Sequence, residues 1–271
     1  MPEGDTVWLT ARRLHQALAD RVLTHVDLRV AHLATVDLTG LTVIGVGARG
    51  KHLLVRFDSG STLHSHLRMD GSWFISRADS RPAGGREHAI RAILGNAQWW
   101  ATGYRVHDLA LIPTADEAAL VGHLGPDLLG PDWDLDEAMR RLRERLNRPV
   151  GEALIDQRNL AGVGNLYKSE VLFIEGVHPW TPVGAIADLR RLITTVRRLM
   201  IANREHPEQT TTGLLARDRQ HWVYQRSGQP CLRCRASIQR ADQGEAPQRR
   251  STYWCPTCQP SGDSRDPAGT D

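Results

Sequence analysis

The chain has 271 residues, of which 41% are hydrophobic and 24% are charged, and this composition is typical of a globular protein with room for two domains. No apolar run approaches the length of a membrane span, and no secretion signal opens the sequence, so a membrane protein is excluded and a bacterial cytoplasm is expected. The net charge of +3 argues only weakly for a polyanionic partner.

The first residues run directly into a helical pattern that predicts a helix over residues 5–20. Loss of Met1 would leave Pro2 with a secondary amine whose pKa of about 8 keeps a fraction neutral at pH 7. Such an amine can attack an aldehyde-like carbon to give an iminium, while Glu3 moves protons. The alternative is an ordinary chain start with a solvated carboxylate. The apolar positions of this helix lie on one face: Val7, Ala11, Leu14, Leu18 and Val22.

Short strands separated by turns follow, from about residue 23 to residue 112, and residues 115–123 predict a short helix. Regular short strands with a helix laid over them predict a β-sandwich domain over residues 1–124. Residues 77–87 are rich in Pro, Gly, Ser and Arg and are predicted to form a loop. The predicted strands cover residues 41–48, 53–57, 62–66, 73–76, 89–94, 98–102 and 106–112, with hairpin turns at 58–60 and 95–96.

Lysine is rare, since only Lys51 and Lys168 occur among the 34 basic residues. Lysine can release its proton and arginine does not, so a retained lysine is a candidate for acid, base or nucleophilic work. Lys51 follows a glycine turn at the end of a strand, where the alternative is a solvated cation. For Lys168 the alternative, a remnant of the arginine bias, stays open.

The loop over residues 64–71 contains an apolar residue among polar ones. Met69 there has the character of a wedge that enters a base stack, and His66, in the same loop, is predicted to bind DNA with it. The alternative is that Met69 folds back onto the core.

Gly-Pro pairs at 125–126 and 130–131 predict a linker over residues 125–133, after which the pattern becomes helical over 134–219. Gly162-Val163-Gly164-Asn165 opens one of these helices. Backbone amides at a helix start bind phosphate, and Asn165 adds a donor, although glycines before a helix are often only a turn. Residues 204–219 are predicted to be a mobile loop. The predicted helices cover residues 134–146, 149–156, 165–175 and 185–203.

All four cysteines lie in residues 220–259, as two Cys-x2-Cys pairs separated by 20 residues: Cys231, Cys234, Cys255 and Cys258. This spacing predicts one zinc ion held by four thiolates, and a closed coordination shell makes it structural. Disulfides are the alternative in an oxidising compartment. Strand-like pieces at 221–225 and 251–254 predict a β-hairpin zinc finger, and six arginines between 226 and 250 form a basic patch. The tail over residues 260–271 is predicted to be disordered.

These motifs, in this order, resemble the formamidopyrimidine-DNA glycosylase / endonuclease VIII family of DNA repair enzymes. The resemblance runs from Met1 to about Gln259 and includes the Met-Pro-Glu-Gly start, the 161–170 segment and both halves of the finger, 223–231 and 250–259. The start is similar to that of actinobacterial endonuclease VIII. The resemblance implies an α+β protein: a helix-supported β-sandwich, then a helix-two-turns-helix domain with a β-hairpin zinc finger.

The resemblance also implies site roles on damaged DNA, with the protein acting as a monomer and with zinc as its only cofactor. Pro2 would attack C1′ of the damaged nucleotide, Glu3 would protonate the sugar ring oxygen, and Lys51 would contact phosphate and assist. Asn165 and Arg250 would grip the flanking phosphates. A further residue, Glu170, falls where the family keeps a carboxylate near the terminal amine. Base loss would be followed by β- and δ-elimination.

Two departures from the family pattern bear on substrate. The family's glutamate at the sixth position is Thr6 here, after Asp5. The wedge motif of the purine-specific branch is missing from residues 104–109, which favours the endonuclease VIII branch and oxidised pyrimidines. Two alternatives stay open: a non-catalytic nucleic-acid binder, and an AP lyase with little glycosylase activity.

Overall fold

The computed structural model describes residues 2–79, 87–216, 218–246 and 249–261. The chain divides into two compact units, residues 1–123 and 124–271. Within the described ranges, no helix is long and apolar enough to cross a membrane.

The first unit opens with α1 (Gly4–Leu18), close to the predicted bounds. Its apolar face is buried through Val7, Leu14 and Leu18, because residues three and four apart share one side of a helix. The helix ends where Ala19 turns extended and Asp20 takes a left-handed φ of 59°.

Two antiparallel sheets form the sandwich. The first has the order β1 (Arg21–Val22), β3 (Thr42–Arg49), β4 (His52–Phe57), β5 (Ser61–His66), β9 (Asp108–Pro113). The second has the order β2 (His25–Leu28), β7 (Ile90–Gly95), β8 (Trp99–Tyr104), β6 (Ser72–Arg77). Alternate residues of the strands face a shared core, in which Leu53, Val55 and Phe57 of β4 pack with α1. The predicted helix-supported sandwich is confirmed.

The differences from prediction in this unit are local. Neither β1 nor β2 was among the predicted strands, because β1 has only two residues and β2 alternates with His25 and Asp27. The predicted loop over 77–87 shares its first residue with β6, and Glu87 begins a 3-10 turn; residues 80–86 lie outside the described part. The predicted short helix is α2 (Glu117–Val121).

The second unit is helical, with α3 (Leu135–Arg143), α4 (Val150–Ile155), α5 (Asn165–Ile174) and α6 (Leu189–Asn203). Asp134 caps α3 as expected, accepting hydrogen bonds from the backbone N–H groups of Asp136 and Glu137. The predicted start of α6 at residue 185 is wrong. Residues 183–185 form a 3-10 turn, and Asp188 caps the helix by accepting from the N–H of Arg191.

The segment expected as a linker, residues 125–133, belongs to the second unit. Leu128 is fully buried there, and Asp127 forms a β-bridge with Ala161. A Gly-Pro pair therefore marks a turn in this chain, and the division into units falls just before it, between residues 123 and 124.

The finger hairpin consists of β10 (Gln239–Gln243) and β11 (Arg250–Trp254), paired in antiparallel register. The predicted strand at 251–254 is confirmed, whereas the one at 221–225 is wrong. The N–H groups of residues 222–224 donate to the carboxylate of Glu170 instead of to a strand, and Gln225 has a left-handed φ of 57°. Most of the tail predicted to be disordered, residues 262–271, lies outside the described residues.

Candidate active site and nucleic-acid interface

The chain start is held by the first turn of α1. Glu3 is fully buried and occupies the N-cap position, and its carbonyl accepts a hydrogen bond from the N–H of Val7 at 3.0 Å. Pro2 precedes it and is partly exposed; Met1 lies outside the described residues. The predicted nucleophile is therefore one residue from a rigid element, which is the preorganisation that covalent catalysis requires.

Lys51 lies at the tip of the hairpin that joins β3 to β4. The register pairs Arg49 with His52, so Gly50 and Lys51 form a two-residue turn. Gly50 has a φ of 57°, a left-handed conformation that glycine adopts without strain. A turn this short fixes the lysine backbone tightly, and the side chain is partly buried.

Three histidines pack beside this hairpin: His52 of β4, and His64 and His66 of β5. Their rings lie 5.1 and 5.2 Å from the His52 ring, and the Nδ1 atom of His52 is 2.8 Å from the Nε2 atom of His64. Burial is the main cause that lowers the pKa of His52 to about 3, and the neighbouring His64 adds to it. Burial, then the charges of Arg68 and Lys51, lower the pKa of His66 to about 4. At neutral pH the histidine cluster is uncharged.

Sequence reasoning found only His66 of this cluster. His52 and His64 lie on different strands, and only the hairpin register brings them together, with His52 opposite His66. Alternating histidines at 64 and 66, which point to one face of a strand, were the available signal.

Met69 lies in the turn between β5 and β6 and is 65% exposed. Ion pairs hold the turn on both sides of it: Arg68 binds Asp108, and Arg105 lies 3.1 Å from the carboxylate of Asp70. The alternative, that Met69 folds back onto the core, is wrong. An exposed apolar side chain on a fixed turn fits the wedge reading, and that role stays a prediction.

The glycine loop before α5 is organised by Gln157. Its side-chain oxygen accepts from the N–H of Gly162 at 3.0 Å, and its nitrogen donates to the carbonyls of Ile155 and Val163, both at 2.8 Å. Gly162 has a φ of 100°, which excludes most side chains. The loop is preformed, although the N–H of Gly162 is already engaged within the protein.

Asn165 begins α5 and is only 7% exposed. Its Nδ2 donates to the carbonyl of Ser251 at 2.7 Å, while its Oδ1 has no hydrogen-bond partner among the described residues. The amide therefore ties α5 to the finger, directly after the exposed Arg250. The phosphate contacts expected of Asn165 and Arg250 stay predictions.

Glu170, also on α5, is fully buried and completely hydrogen-bonded within the second unit. Its carboxylate accepts from the N–H groups of residues 222–224, each at 2.8 Å, and from the hydroxyl of Thr211. These contacts give Glu170 a structural function in closing the segment from Thr211 to Trp222. The catalytic role stays a prediction.

The four cysteines converge, with their sulfur atoms all within 4.8 Å of one another. The Cys234–Cys255 and Cys231–Cys258 sulfur pairs are 3.4 and 4.0 Å apart. Four sulfurs at about 2.3 Å from a tetrahedral zinc ion are about 3.8 Å apart, so the cluster fits the metal. The small apolar core around it, Phe173, Val223 and Ile238, attaches the finger to α5.

Comparison with known proteins places these features in one family. Residues 1–105 match the model of the formamidopyrimidine-DNA glycosylase N-terminal domain, and residues 124–213 match that of its H2TH domain. A "Probable endonuclease 8 2" of Streptomyces coelicolor is 56% identical over 99% of this chain and 97% of its own length. A "DNA-(apurinic or apyrimidinic site) lyase Nei2" of Mycolicibacterium smegmatis is 44% identical over 96% of this chain and 99% of its own.

The fold agrees with a solved structure as well. Fpg (MutM) of Lactococcus lactis, in complex with DNA containing an oxidised pyrimidine, superposes with a TM-score of 0.79 at 25% identity, covering 96% of this chain and 100% of that chain. With the start of α1, the H2TH helices and the cysteine cluster all in family order, the chain belongs to the formamidopyrimidine-DNA glycosylase / endonuclease VIII family.

Proposed function

We propose that this chain removes oxidised pyrimidines from DNA and cuts the strand at the resulting site, with Pro2 as the nucleophile. The broader activity, that of a bifunctional DNA glycosylase and AP lyase of base excision repair, follows from the family and from relatives that match nearly the whole chain. The observation that carries the proposal is the fixed start of α1, which holds Pro2 and the buried Glu3 at one end of a rigid helix.

In the proposed reaction the nitrogen of Pro2 attacks C1′ of a nucleotide that has been flipped out of the duplex, because C1′ is unreachable within the stack. The bond from C1′ to the base breaks and the base leaves with a proton. As the base departs, Glu3 protonates the sugar ring oxygen, so that the ring opens and C1′ becomes an iminium carbon. Glu3 thus acts as a general acid.

The iminium withdraws electrons from C2′ and so acidifies its proton. Loss of that proton expels the 3′ phosphate by β-elimination, and a second elimination expels the 5′ phosphate. Water then hydrolyses the iminium and returns the free amine of Pro2. Lys51, on its two-residue turn, is proposed to contact phosphate and assist these steps.

Binding is assigned to groups in both units. Met69 is proposed to fill the space left by the flipped nucleotide, beside His66. Asn165 and Arg250 are proposed to contact the flanking phosphates, which carry no base information. We also propose that the cysteine cluster holds one structural zinc ion. The protein is proposed to act as a monomer on nucleoid DNA in the bacterial cytoplasm.

Two observations favour a second candidate, an AP lyase with little glycosylase activity. Thr6 stands where the family has glutamate, and one of the matched relatives is named as a lyase alone. Parallel cleavage of duplexes with thymine glycol and with a preformed abasic site separates the two: equal cutting of both supports the glycosylase, and cutting of the abasic duplex alone supports the lyase.

The nucleophile is tested by borohydride reduction during reaction with abasic DNA. Reduction traps the iminium as a covalent protein–DNA adduct, and mass spectrometry of the digested adduct is expected to locate it on Pro2. Retention of Met1, engineered by replacing Pro2 with a large residue, should abolish the adduct. If no adduct forms, the protein is a non-catalytic nucleic-acid binder. If the adduct is on Lys51, then Lys51 and not Pro2 is the nucleophile.

A further inference from the structure

Lys168 is a lysine that the proposed chemistry does not use. It lies on α5, is completely buried, and its Nζ atom donates a hydrogen bond to the Oγ1 of Thr252 in β11 at 2.7 Å. An amino group in the protein interior is costly to bury unless acceptors hold it. It is one of only two lysines among the 34 basic residues of the chain, so its buried position calls for an explanation.

The direction of the hydrogen bonds around Lys168 is fixed by chemistry. An ammonium only donates, so the hydroxyl of Thr252 accepts from it. The hydroxyl proton of Thr252 has two acceptors within reach, and Oε1 of Gln243 at 3.1 Å is nearer than the carbonyl oxygen of Arg250 at 3.4 Å. The nitrogen of Gln243 then donates to the carbonyl of Pro179 at 2.8 Å. This buried relay runs from α5 through both strands of the finger hairpin to the segment before α6.

The structure makes room for this relay. Gly151, in the first turn of α4, lies against the side chain of Gln243, and a Cβ atom at that position would collide with the Gln243 amide. The amide is therefore in a fitted cavity and not at a loose surface. Thr252 is fully buried and Gln243 is 3% exposed, so every member of the relay is shielded from water.

A second contact runs parallel to the relay. Asn165 and Lys168 are three residues apart on one face of α5, and they bind the consecutive residues Ser251 and Thr252. Both contacts follow immediately after Arg250, the first residue of β11. The position of Arg250 relative to the start of α5 is thus set by two side chains of that helix.

We propose that Lys168 is a positioning residue, which fixes the finger hairpin on α5 and thereby sets where Arg250 meets the DNA backbone. The inference rests on the proposed function to the extent that Arg250 contacts phosphate. Lysine suits this place because its ammonium is compact, whereas a planar guanidinium with five donors needs more space and more acceptors.

The experiment measures binding to a duplex with a tetrahydrofuran abasic-site analogue, at several salt concentrations, in the full-length zinc-loaded protein. The variant Lys168→Met keeps the aliphatic stem and removes the donor. We expect the slope of log affinity against log salt to fall by about one unit, as expected for Arg250→Ala, because the same phosphate contact is lost. The double variant should bind no more weakly than Arg250→Ala alone, which is the mark of a shared contact.

A matched pair at the acceptor keeps the test valid if Lys168→Met fails to retain zinc. Thr252→Val keeps the shape and removes the hydroxyl, and should reproduce the reduced salt slope. Thr252→Ser keeps the hydroxyl and should behave as the wild type. Thr195→Val is the control, since it removes a buried hydrogen bond from Thr195 to Glu175 in the same unit, away from the hairpin, and should leave the slope unchanged.

The outcomes separate the inference from the function beneath it. An unchanged salt slope in Arg250→Ala would show that Arg250 does not contact phosphate, and the inference would fail with that proposal. Two other results would overturn the inference and leave the phosphate contact of Arg250 intact, given that Arg250→Ala has a reduced slope. One is an unchanged slope in both Lys168→Met and Thr252→Val, and the other is additive losses of affinity in the double variant. Either result would show that Lys168 only stabilises the fold.

Discussion

The Nδ1 atom of His52 and the Nε2 atom of His64 are 2.8 Å apart, so one of these two nitrogens carries a proton and the other accepts it. Protonation of both rings would set two N–H groups against each other. Besides burial, the positive charge of Arg68 lowers the pKa of His52 and of His66, whereas the carboxylate of Asp108 acts in the opposite direction on His64 and His66. The arrangement favours the neutral form of the cluster.

This arrangement predicts that the first unit loses stability in acid. Above about pH 6.5, the usual pKa of histidine, the rings are neutral in both states and their contribution is complete. As the pH falls from there towards the folded pKa values of about 3 for His52 and about 4 for His66, the unfolded chain binds protons that the folded chain does not. The free energy of unfolding therefore decreases as the pH decreases across this window.

Thermal unfolding at pH 7.5 and pH 5 checks this expectation. The unfolding temperature of the wild type should be lower at pH 5, and His52→Gln should show a smaller difference between the two pH values. His88→Gln is the control, because His88 is exposed and lies outside the cluster. Equal pH dependence in His52→Gln and the wild type would contradict the prediction.

Glu3→Gln should separate the two activities. An amide cannot protonate the sugar ring oxygen, so removal of an oxidised pyrimidine is expected to slow by about 10²–10⁴-fold, the usual contribution of a general acid. The open-chain aldehyde of a preformed abasic site forms the iminium with the amine without ring opening by Glu3, so the borohydride adduct should persist. Glu87→Gln, an exposed carboxylate in the same unit, should change neither. Loss of the adduct in Glu3→Gln would show that Glu3 acts on the amine instead.

Met69→Ala should impair function without affecting stability. Its side chain is 65% exposed, so the unfolding free energy should change by less than about 0.5 kcal/mol. Base removal from a duplex is expected to slow about tenfold, because loss of even ~1.4 kcal/mol of wedge stabilisation is a factor of ten. Cutting of single-stranded abasic DNA, where no stack is opened, should be unaffected. Ile44→Ala, at another exposed apolar residue of this unit, is the control, and equal slowing there would argue against a wedge.

Zinc removal should abolish DNA binding while the first unit stays folded. The finger has a small apolar core around Cys231 and Cys255, so the zinc ion proposed for its four cysteines would supply much of its folding free energy. Hydrogen-exchange mass spectrometry after chelation should show rapid exchange in residues 222–259 and unchanged protection in β4 and β5. Added zinc should restore binding and added magnesium should not. A chelated protein that still shifts DNA would refute this prediction.

Features set by local periodicity or fixed spacing were predictable from the sequence. The three-to-four spacing of Val7, Leu14 and Leu18 gives α1, and the two cysteine pairs give a cluster whose sulfurs meet. The hairpin strands of the sandwich follow from turn residues and alternating burial. Each of these signals acts within about ten residues, or through ligands whose chemistry demands that they meet.

Features set by distant partners were not predictable. Residues 221–225 have the composition of a strand, but Glu170, more than fifty residues earlier, takes the amides that a strand would need. His52 joins His64 only through strand register. Lys168 was conspicuous as a rare residue, yet its acceptor Thr252 lies in the finger, and no spacing connects the two. Secondary-structure propensity depends on the residues of a segment alone and does not include hydrogen bonds from side chains that are distant in sequence.

The carboxylate of Glu170 binds both Thr211 and Trp222, and direct hydrogen bonds from Trp222 Nε1 to the carbonyl of Thr211 and from the N–H of Thr211 to the carbonyl of Gln220 join the same two ends of the intervening stretch. Closure entropy rises only slowly with loop length, which means that residues added or deleted between these two ends change little in the energy of the rest. Insertions and deletions in that stretch should therefore leave the attachment of the finger to α5 intact. For the same reason, the stretch is a suitable place to insert a foreign sequence.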